Sequence, residues 1–440
     1  MQSRSGGRGG AARRSAPRPA AADSAQAAPA AAAAAPASQP AKKSETAPAK
    51  KAAPPSDSKT ATGAAKSSDE PKASAAAAHP SNSSPDDDDD ADRSARRSWR
   101  QDISARVPLV RRGSFRLYMG GLIQTQAAIW VGNDSALQDG DFADTEGFRV
   151  RRARLGFSGQ LLPDVKFYLA LDLKDAVTAA TGGSVGSEIL DATVSWNRFS
   201  FLQIAAGVDR MPFSGYALRS SGRLTLIDRP FMVNVISPNR RVGVRVYGQL
   251  GDLGYAAGVY NGTDGITSGN RLAGLAGAIR LKYDLLGAPR EFVPTKLRIQ
   301  VAAAYVYENG QSTTSHRAAF NLAAQAFRTR LFGEFLWRRS TPDAEPGGDP
   351  DAGDATTWGV AGQLSVFVWS EHVEVAGRYE YFRDNNAVLT AGRQQLISGG
   401  VNVYLCRNRF KLQGMYMRRD ELEGAEIKND IVFAQLQAMF

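Results

Sequence analysis

Hydrophobic and polar residues alternate with a period of two from Ser114 to Phe440, in blocks of about ten to fourteen residues. In the block Asp164 to Lys174, one face carries Val165, Phe167, Leu169, Leu171 and Leu173, and the other carries Lys166, Tyr168, Asp172 and Lys174. This alternation predicts β-strands with one apolar and one hydrated face. Soluble β-sandwiches show the same alternation, so the pattern alone leaves both architectures open.

The number of blocks and the length of the links between them separate these architectures. Sixteen blocks start near Ser114, Gly147, Pro163, Glu188, Ser200, Asn239, Leu253, Arg271, Thr295, Ser315, Thr329, Thr356, Glu371, Gln394, Arg409 and Ile427. Long links such as 131–146 alternate strictly with short ones such as 159–162, and 210–238 is far longer than its neighbours. Bacterial outer-membrane barrels have an even strand number, short periplasmic turns and long external loops. We therefore predict an all-β fold, a transmembrane antiparallel β-barrel of about 16 strands in the bacterial outer membrane.

The last block ends on an aromatic residue. Val432, Ala434, Leu436, Ala438 and Phe440 place a small or apolar residue at every second position. This resembles the C-terminal signal that barrel-insertion machinery recognises, although an amphipathic edge strand would show the same pattern. Aromatic residues near strand ends suit a girdle in contact with outer-membrane lipid, namely Trp130, Trp196, Tyr283, Tyr305, Tyr379 and Tyr381.

The first quarter of the chain has a different composition. Up to about Arg100 it is dominated by Ala, Pro, Ser and Lys, includes the run Asp86 to Asp90, and contains Trp99 as its only aromatic residue. Such a segment cannot bury enough apolar surface to offset the entropy of ordering. We predict a disordered periplasmic arm over 1–111 and the barrel domain over 112–440. Residues 4–37 form at most a weak secretory signal, because alanine is only slightly hydrophobic.

Composition argues against several other classes of function. The formal net charge of +10 divides evenly at Arg100, so neither part is basic enough to indicate nucleic-acid binding. The single cysteine, Cys406, excludes an intrachain disulfide and a multi-cysteine metal site. His316 and His372 start separate strands, and no base, nucleophile or metal cage follows from them. We expect no catalytic residues, no cofactor, no metal and no enzymatic activity.

Basic residues outnumber acidic ones by about two to one on the predicted lumen face. The basic set is Arg116, Arg152, Arg154, Lys166, Lys174, Arg241, Arg245, Arg280, Lys282, Arg298, Arg317, Arg330, Arg378 and Lys411, and the acidic set is Asp172, Asp191, Asp209, Glu334, Glu374 and Glu380. A basic aqueous pore concentrates small inorganic anions and passes them from site to site. Alternatively, a wide lumen is polar by necessity and its charges merely stay hydrated.

Two segments concentrate arginine. Residues 148–159, Phe-Arg-Val-Arg-Arg-Ala-Arg-Leu-Gly-Phe-Ser-Gly, hold four arginines in six positions. Their parity slips between Arg151 and Arg152, which indicates a β-bulge or a strand end. The link 210–238 is the third external loop and carries Arg210, Arg219, Arg223 and Arg229.

These segments also carry a family resemblance. Its ordered pieces are 148–159, Phe167-Tyr-Leu-Ala-Leu-Asp172, Gly207-Val-Asp-Arg-Met-Pro-Phe-Ser214, Ser220-Ser-Gly-Arg-Leu224, Asp228-Arg-Pro230, Arg240-Arg-Val-Gly243 and Tyr260-Asn-Gly262. In order and spacing they resemble the phosphate-selective porin O/P family, most strongly in the first half of the barrel. The resemblance implies a trimeric sixteen-stranded channel with a basic constriction, formed where the third loop folds inward.

The resemblance places the family's paired arginines on Arg151 and Arg152 and the basic positions of its constriction loop on Arg223 and Arg229. Asp228 stands where the pattern more often has Glu, and the second half of the barrel shows no full inward arginine ladder. The complete set of anion-binding or constriction candidates is Arg151, Arg152, Arg154, Arg210, Arg219, Arg223, Arg229, Arg241 and Arg245.

Three hypotheses for the function remain open from the sequence. The leading one is a passive outer-membrane channel with anion preference, for phosphate or phosphate-like anions. The second is a structural or surface-interaction barrel whose lumen is plugged by the third loop and whose arm tethers the envelope. The third is a barrel enzyme, for which the sequence shows no catalytic constellation, and a general, non-selective porin is the alternative to anion preference.

Overall fold

The computed structural model describes residues 107–131, 147–173, 188–262, 274–292, 296–310, 313–342, 353–385, 392–423 and 429–440. Seventeen strands run through these residues: β1 Val107–Arg112, β2 Phe115–Val131, β3 Gly147–Leu162, β4 Val165–Asp172, β5 Glu188–Trp196, β6 Gln203–Arg210, β7 Arg240–Leu250, β8 Leu253–Asn261, β9 Leu275–Asp284, β10 Arg298–Asn309, β11 Thr313–Ala326, β12 Thr329–Pro342, β13 Ala355–Trp369, β14 Val373–Asp384, β15 Arg393–Cys406, β16 Phe410–Glu421 and β17 Asp430–Met439.

Strands β2 to β17 form a closed barrel of sixteen antiparallel strands, as predicted. Every strand pairs with the next one along the chain, and β17 pairs with β2 from Asp430↔Val131 to Met439↔Leu122. The last residue extends this seam, because Phe440 and Gly121 exchange backbone hydrogen bonds of 3.0 and 3.1 Å. The predicted strand starts lie close to the observed ones because the period-two pattern marks each strand separately.

With strand β1, the described fold begins a few residues before the predicted start. This strand pairs with the first residues of β2, from Val107↔Met119 to Arg112↔Phe115, ahead of the boundary expected at Arg112. Gly113, with a φ of +59°, makes the tight turn between them. Composition could not reveal β1, because six residues ending in two arginines do not form a barrel block. The predicted arm, apart from its last residues, lies outside the described residues.

Each barrel strand turns one face outward and one into the lumen. On β14, Val375 and Tyr379 are exposed, whereas Glu374 and Glu380 are buried. Apolar side chains therefore face the lipid and polar ones the interior, the reverse of a soluble protein. Trp130 departs from its expected place in the girdle, because it packs against an apolar cluster inside the lumen. Among the described residues no helix has the length and apolarity needed to cross a membrane.

The predicted alternation of long and short links fails at β10. The β9–β10 link occupies residues 285–297 on the side of the short turns, and the β10–β11 link on the other side is only 310–312. Short turns of outer-membrane barrels face the periplasm. The β9–β10 turn is long because it does not merely close a hairpin: its Phe292 ring packs 5.3 Å from the ring of the buried Tyr404.

The link between β6 and β7, residues 211–239, folds into the barrel. We call it the lumen loop. It contains the short helices α1 (Gly215–Leu218) and α2 (Phe231–Ile236), with a 3₁₀ helix (Ser221–Arg223) between them. The expectation that the third external loop turns inward is confirmed by its hydrogen bonds to the inner faces of β2, β9, β12, β14, β15 and β16.

Candidate functional site

Apolar side chains attach one side of the lumen loop to the second half of the barrel. Tyr216 meets Phe332 edge-on at 4.4 Å between ring centroids, and Phe231 meets Phe382 at 5.1 Å. Together with Ile236 these residues belong to one buried cluster that includes wall residues of β10 to β17. Burying so much apolar surface inside a polar lumen holds the loop against this wall.

Buried carboxylates of the same wall hold the two helix starts. Glu334 accepts hydrogen bonds from Ser214 Oγ at 2.8 Å and from Gly215 N at 2.5 Å, and Glu380 accepts one from Phe231 N at 2.6 Å. The first N–H groups of a helix have no partner within the helix, so an acceptor there satisfies them. These contacts fix the loop's position as well as its distance from the wall.

The arginine-rich segment lies on β3, on the opposite side of the loop. The register of β2 and β3 shifts between Gln124↔Arg152 and Thr125↔Val150, which leaves Arg151 as the extra residue of a β-bulge. The predicted bulge is therefore confirmed. Its effect is that Arg149, Arg151, Arg152 and Arg154 all turn into the lumen, although strict alternation would send half of them to the lipid. Arg149 and Arg152 donate to the inward Gln126 and Gln124 at 2.9 and 2.8 Å.

Asp228 of the lumen loop sits in front of these arginines. Its Oδ1 lies 3.5 Å from Arg151 and 3.6 Å from Arg152. Burial acts to raise the pKa of the Asp228 carboxyl, but the charges of Arg151, Arg152, Arg149 and Arg229 together outweigh burial and lower it. Within the described residues Arg151 Nε is buried without a hydrogen-bond partner. Four guanidinium groups thus surround one carboxylate, and the cluster is positive.

The other loop candidates are engaged with the backbone or with single acids. Arg210 and Arg229 both donate to the carbonyl of Arg219, at 3.2 and 2.6 Å. The guanidinium of Arg219 lies over the Phe332 ring at 4.2 Å. Arg223 reaches Glu291 of the β9–β10 turn at 3.3 Å. Of the loop arginines, Arg229 is the one whose charge acts on Asp228. Arg223 faces the periplasmic end, where Glu291 lies.

The remaining candidates lie apart from Asp228 or pair with wall acids. Arg154 bonds Asp172 at 2.8 Å and Ser221 Oγ at 3.1 Å. Arg241 pairs with Glu308 at 2.9 Å, and Arg245 pairs with Asp209 at 2.5 Å. Parity had also missed inward acids on β9, β10, β14 and β16, namely Asp284, Glu308, Asp384 and Glu421. Sequence parity reports which face a residue takes but not its partner, so it overstated the free positive charge. Lys174 lies outside the described residues.

The inward faces of β3 and β14 differ in exposure. On β3 the Arg151 side chain is 31% exposed, whereas those of Arg152 and Arg154 are only 6% and 9% exposed, and Lys166 on β4 is exposed. The inward residues of β14 from Glu374 to Asp384 are all buried. Water therefore reaches Arg151 and Lys166, and it is excluded from the inward face of β14. The described residues contain no group of His, Cys, Asp and Glu side chains arranged for a metal ion.

Residues 123–285 match the family model described as phosphate-selective porin O and P. The protein is an outer-membrane porin related to that family. The match covers β2 to β9, which includes the four arginines of β3 and the whole lumen loop. Its family resemblance, multi-pass barrel fold and outer-membrane location are confirmed.

Solved structures show the same fold for this porin. The outer-membrane channel DcaP of Acinetobacter baumannii aligns with a TM-score of 0.54 at 15% identity, over 76% of this chain and 100% of that one. OmpF of Salmonella typhi, in complex with daunomycin, aligns with a TM-score of 0.52 at 11% identity, over 75% and 99%. A comparison with curated protein sequences found no match. The family match over 123–285 supports an outer-membrane channel, and the solved structures show that the barrel fold is shared.

Proposed function

We propose that this porin is a passive channel that prefers anions, with phosphate or phosphate-like anions as its substrate class. The observation that carries the proposal is the β3 bulge, which turns four arginines toward a lumen loop that adds Arg229. The loop places one carboxylate, that of Asp228, beside these arginines. Phosphate suits such a place, because several guanidinium groups can share its oxygens through charge-assisted hydrogen bonds. The family name points to the same substrate class.

The path we assign to the ion runs along the side of the lumen loop that faces the arginines of β3. The partial exposure of the Arg151 and Arg223 side chains, each 31%, supports this path. A water-filled path beside fixed positive charge draws anions in at low salt, and screening shortens that attraction to about 10 Å at 0.1 M.

Reconstitution in planar bilayers tests the proposal. With a KCl gradient, the reversal potential should indicate anion preference, and the preference should weaken as salt rises. Added phosphate should block chloride current at low concentration. Cation preference at low salt would reject an anion channel. Anion preference without phosphate block would indicate a general anion pore that is not selective for phosphate.

A plugged barrel is the second candidate, and one observation favours it. The lumen loop builds a continuous apolar cluster with β10 to β17, including Met232, Leu336 and Phe433. Such a cluster closes that side of the lumen to water. Single-channel recording separates the candidates, because a fully plugged barrel shows no open steps in any salt.

Several further properties complete the proposal. We assign the porin a homotrimeric state, small inorganic anions as its cargo, outer-membrane lipid as its surroundings, and recognition by the barrel-insertion machinery through the strand that ends at Phe440. We place an arm before the barrel, in the periplasm, with the boundary at Val107. Expression of the barrel from Val107 behind a foreign signal peptide should yield heat-modifiable trimers. Failure of that shortened chain to fold in detergent would contradict the boundary.

A further inference from the structure

The β9–β10 turn enters the lumen from the periplasmic end. Phe292 packs against the inward rings of Tyr404 and Phe367, at 5.3 and 6.0 Å between centroids. Arg290 N donates to Gln325 Oε1 at 2.6 Å. These contacts tie Arg290 and Phe292 to the inner faces of β11, β13 and β15.

Glu291 connects this turn to the lumen loop. Its carboxylate lies 3.3 Å from Arg223 Nη1 through one oxygen and accepts a hydrogen bond from Asn408 Nδ2 at 3.0 Å through the other. Arg330 Nη1 donates to the Glu291 carbonyl at 2.7 Å, which holds the residue from its backbone side. The carboxylate is therefore directed at Arg223 by contacts on two sides.

This ion pair remains in contact with water. The side chains of Arg223 and Glu291 are 31% and 40% exposed, whereas the inward acids Glu374 and Glu380 are nearly fully buried. The 3₁₀ helix that carries Arg223 also reaches the periplasmic end, because Gln437 bridges Gly222 O and Asn408 O. The Arg223–Glu291 pair thus lies where the arginine-bearing side of the loop opens toward the periplasm.

We propose that Glu291 is a specificity-determining residue of the channel, which offsets the charge of Arg223 at the periplasmic exit. The inference rests on the proposed anion path. Conduction requires a site that is favourable enough to enter and weak enough to leave. The Glu291 carboxylate lowers the attraction of the last arginine on the path, so an anion that has passed Asp228 is released to the periplasm instead of being held.

The test is Glu291→Gln in the full-length porin, recorded in planar bilayers. Removing the carboxylate while keeping its shape should shift the reversal potential toward stronger anion preference and lengthen the block of chloride current by inorganic phosphate several-fold. Asp164→Asn is the matched control. Asp164 also sits in a periplasmic turn and also pairs with an arginine at 3.3 Å, but its partner Arg198 is 60% exposed and belongs to a neighbouring turn, not to the lumen loop.

A purely structural role for Glu291 gives a different result. Phe292→Ala loosens the turn without changing its charge, so it should raise conductance with little change in the reversal potential. If Glu291→Gln behaves like Phe292→Ala, or if Asp164→Asn shifts the reversal potential equally, the proposal is overturned. Cation preference of the unmodified porin would reject the anion channel instead. A shift toward anions on Glu291→Gln would even then support the role of Glu291.

Discussion

The two halves of the barrel wall contact opposite sides of the same loop. Strands β10 to β17 receive its aromatic side chains and fix its helix starts with Glu334 and Glu380. Strand β3 faces it with arginines, of which Arg151 and Arg152 share Asp228. One wall therefore positions the loop, and the other presents arginines to it. The family match at 123–285 covers the loop and the arginines of β3.

The largest effect should come from detaching the loop from the second half. Phe213 and Phe231 are 1% and 3% exposed, and truncating a buried phenylalanine costs about 3–5 kcal/mol. Phe213→Ala with Phe231→Ala should release the loop and raise single-channel conductance several-fold. Phe320→Ala, on the lipid face with 51% exposure, is the matched control. Unchanged conductance in the double variant would mean that the loop does not limit the pore.

Charge reversal on the loop should have the next largest effect. Replacing Arg223 and Arg229 by Glu should reduce phosphate block of chloride current more than Lys166→Glu does. A constriction charge acts at about 4 kcal/mol at an effective dielectric near 20, and a wall charge in water at about 1 kcal/mol. Arg223→Glu alone leaves the Arg229 bonds to the loop backbone intact and serves as the second variant. Equal loss of phosphate block in all variants would show that the channel is a general basic pore without a selectivity site on the loop.

Asp228→Asn should strengthen anion binding at the β3 cluster to a smaller extent. The folded-state pKa of Asp228 is lowered, so its carboxylate stabilises the docked loop above the ordinary pKa of 3.8, and that stability is lost as pH falls through the lowered value. Asp228→Asn removes the negative charge that lies beside Arg151 and Arg152, so phosphate block of the chloride current should increase at neutral pH. Loss of anion preference in this variant would show that the carboxylate orders the arginines rather than opposing the anion.

The smallest effect concerns the seam where the halves meet at β17 and β2. A Cβ on Gly121 would lie 2.4 Å from Cζ of Phe440, but that ring is terminal and can turn away. Gly121→Val should lower the temperature at which the barrel unfolds on heated electrophoresis by a few degrees. Gly399→Val, where a Cβ meets nothing within 4 Å, should leave it unchanged. Identical behaviour of both variants would show that Phe440 adds nothing to closure.

Much of the fold could be predicted from the sequence because each strand carries its own signal. Period two marked Gly147, Glu188, Leu253 and Thr329 as strand starts, and the structure begins strands at these residues. Link length gave the wrong expectation for the β9–β10 turn, because that turn is long for a reason unrelated to hairpin closure. Its Phe292 packs on residues far away in sequence, and no local pattern reports such a contact.

The candidate site was less predictable. The parity slip between Arg151 and Arg152 located the bulge, and it contained the information that Arg149 also turns inward. The role of Asp228 at the centre of the cluster was missed, as was the pairing of Arg223 with Glu291. The lumen loop has no regular period, so its apolar and charged sides become visible only when the walls that they contact are known.

The β3 bulge also affects how relatives of this chain are aligned. Arg151 is the residue without a partner on β2, so a relative that lacks it could pair regularly and still turn Arg149, Arg152 and Arg154 inward. Such a relative differs by a one-residue gap in the middle of a membrane strand, where alignment methods penalise gaps most heavily. Forcing an ungapped alignment there would exchange the lipid side and the water side for every residue between the start of β3 and the bulge.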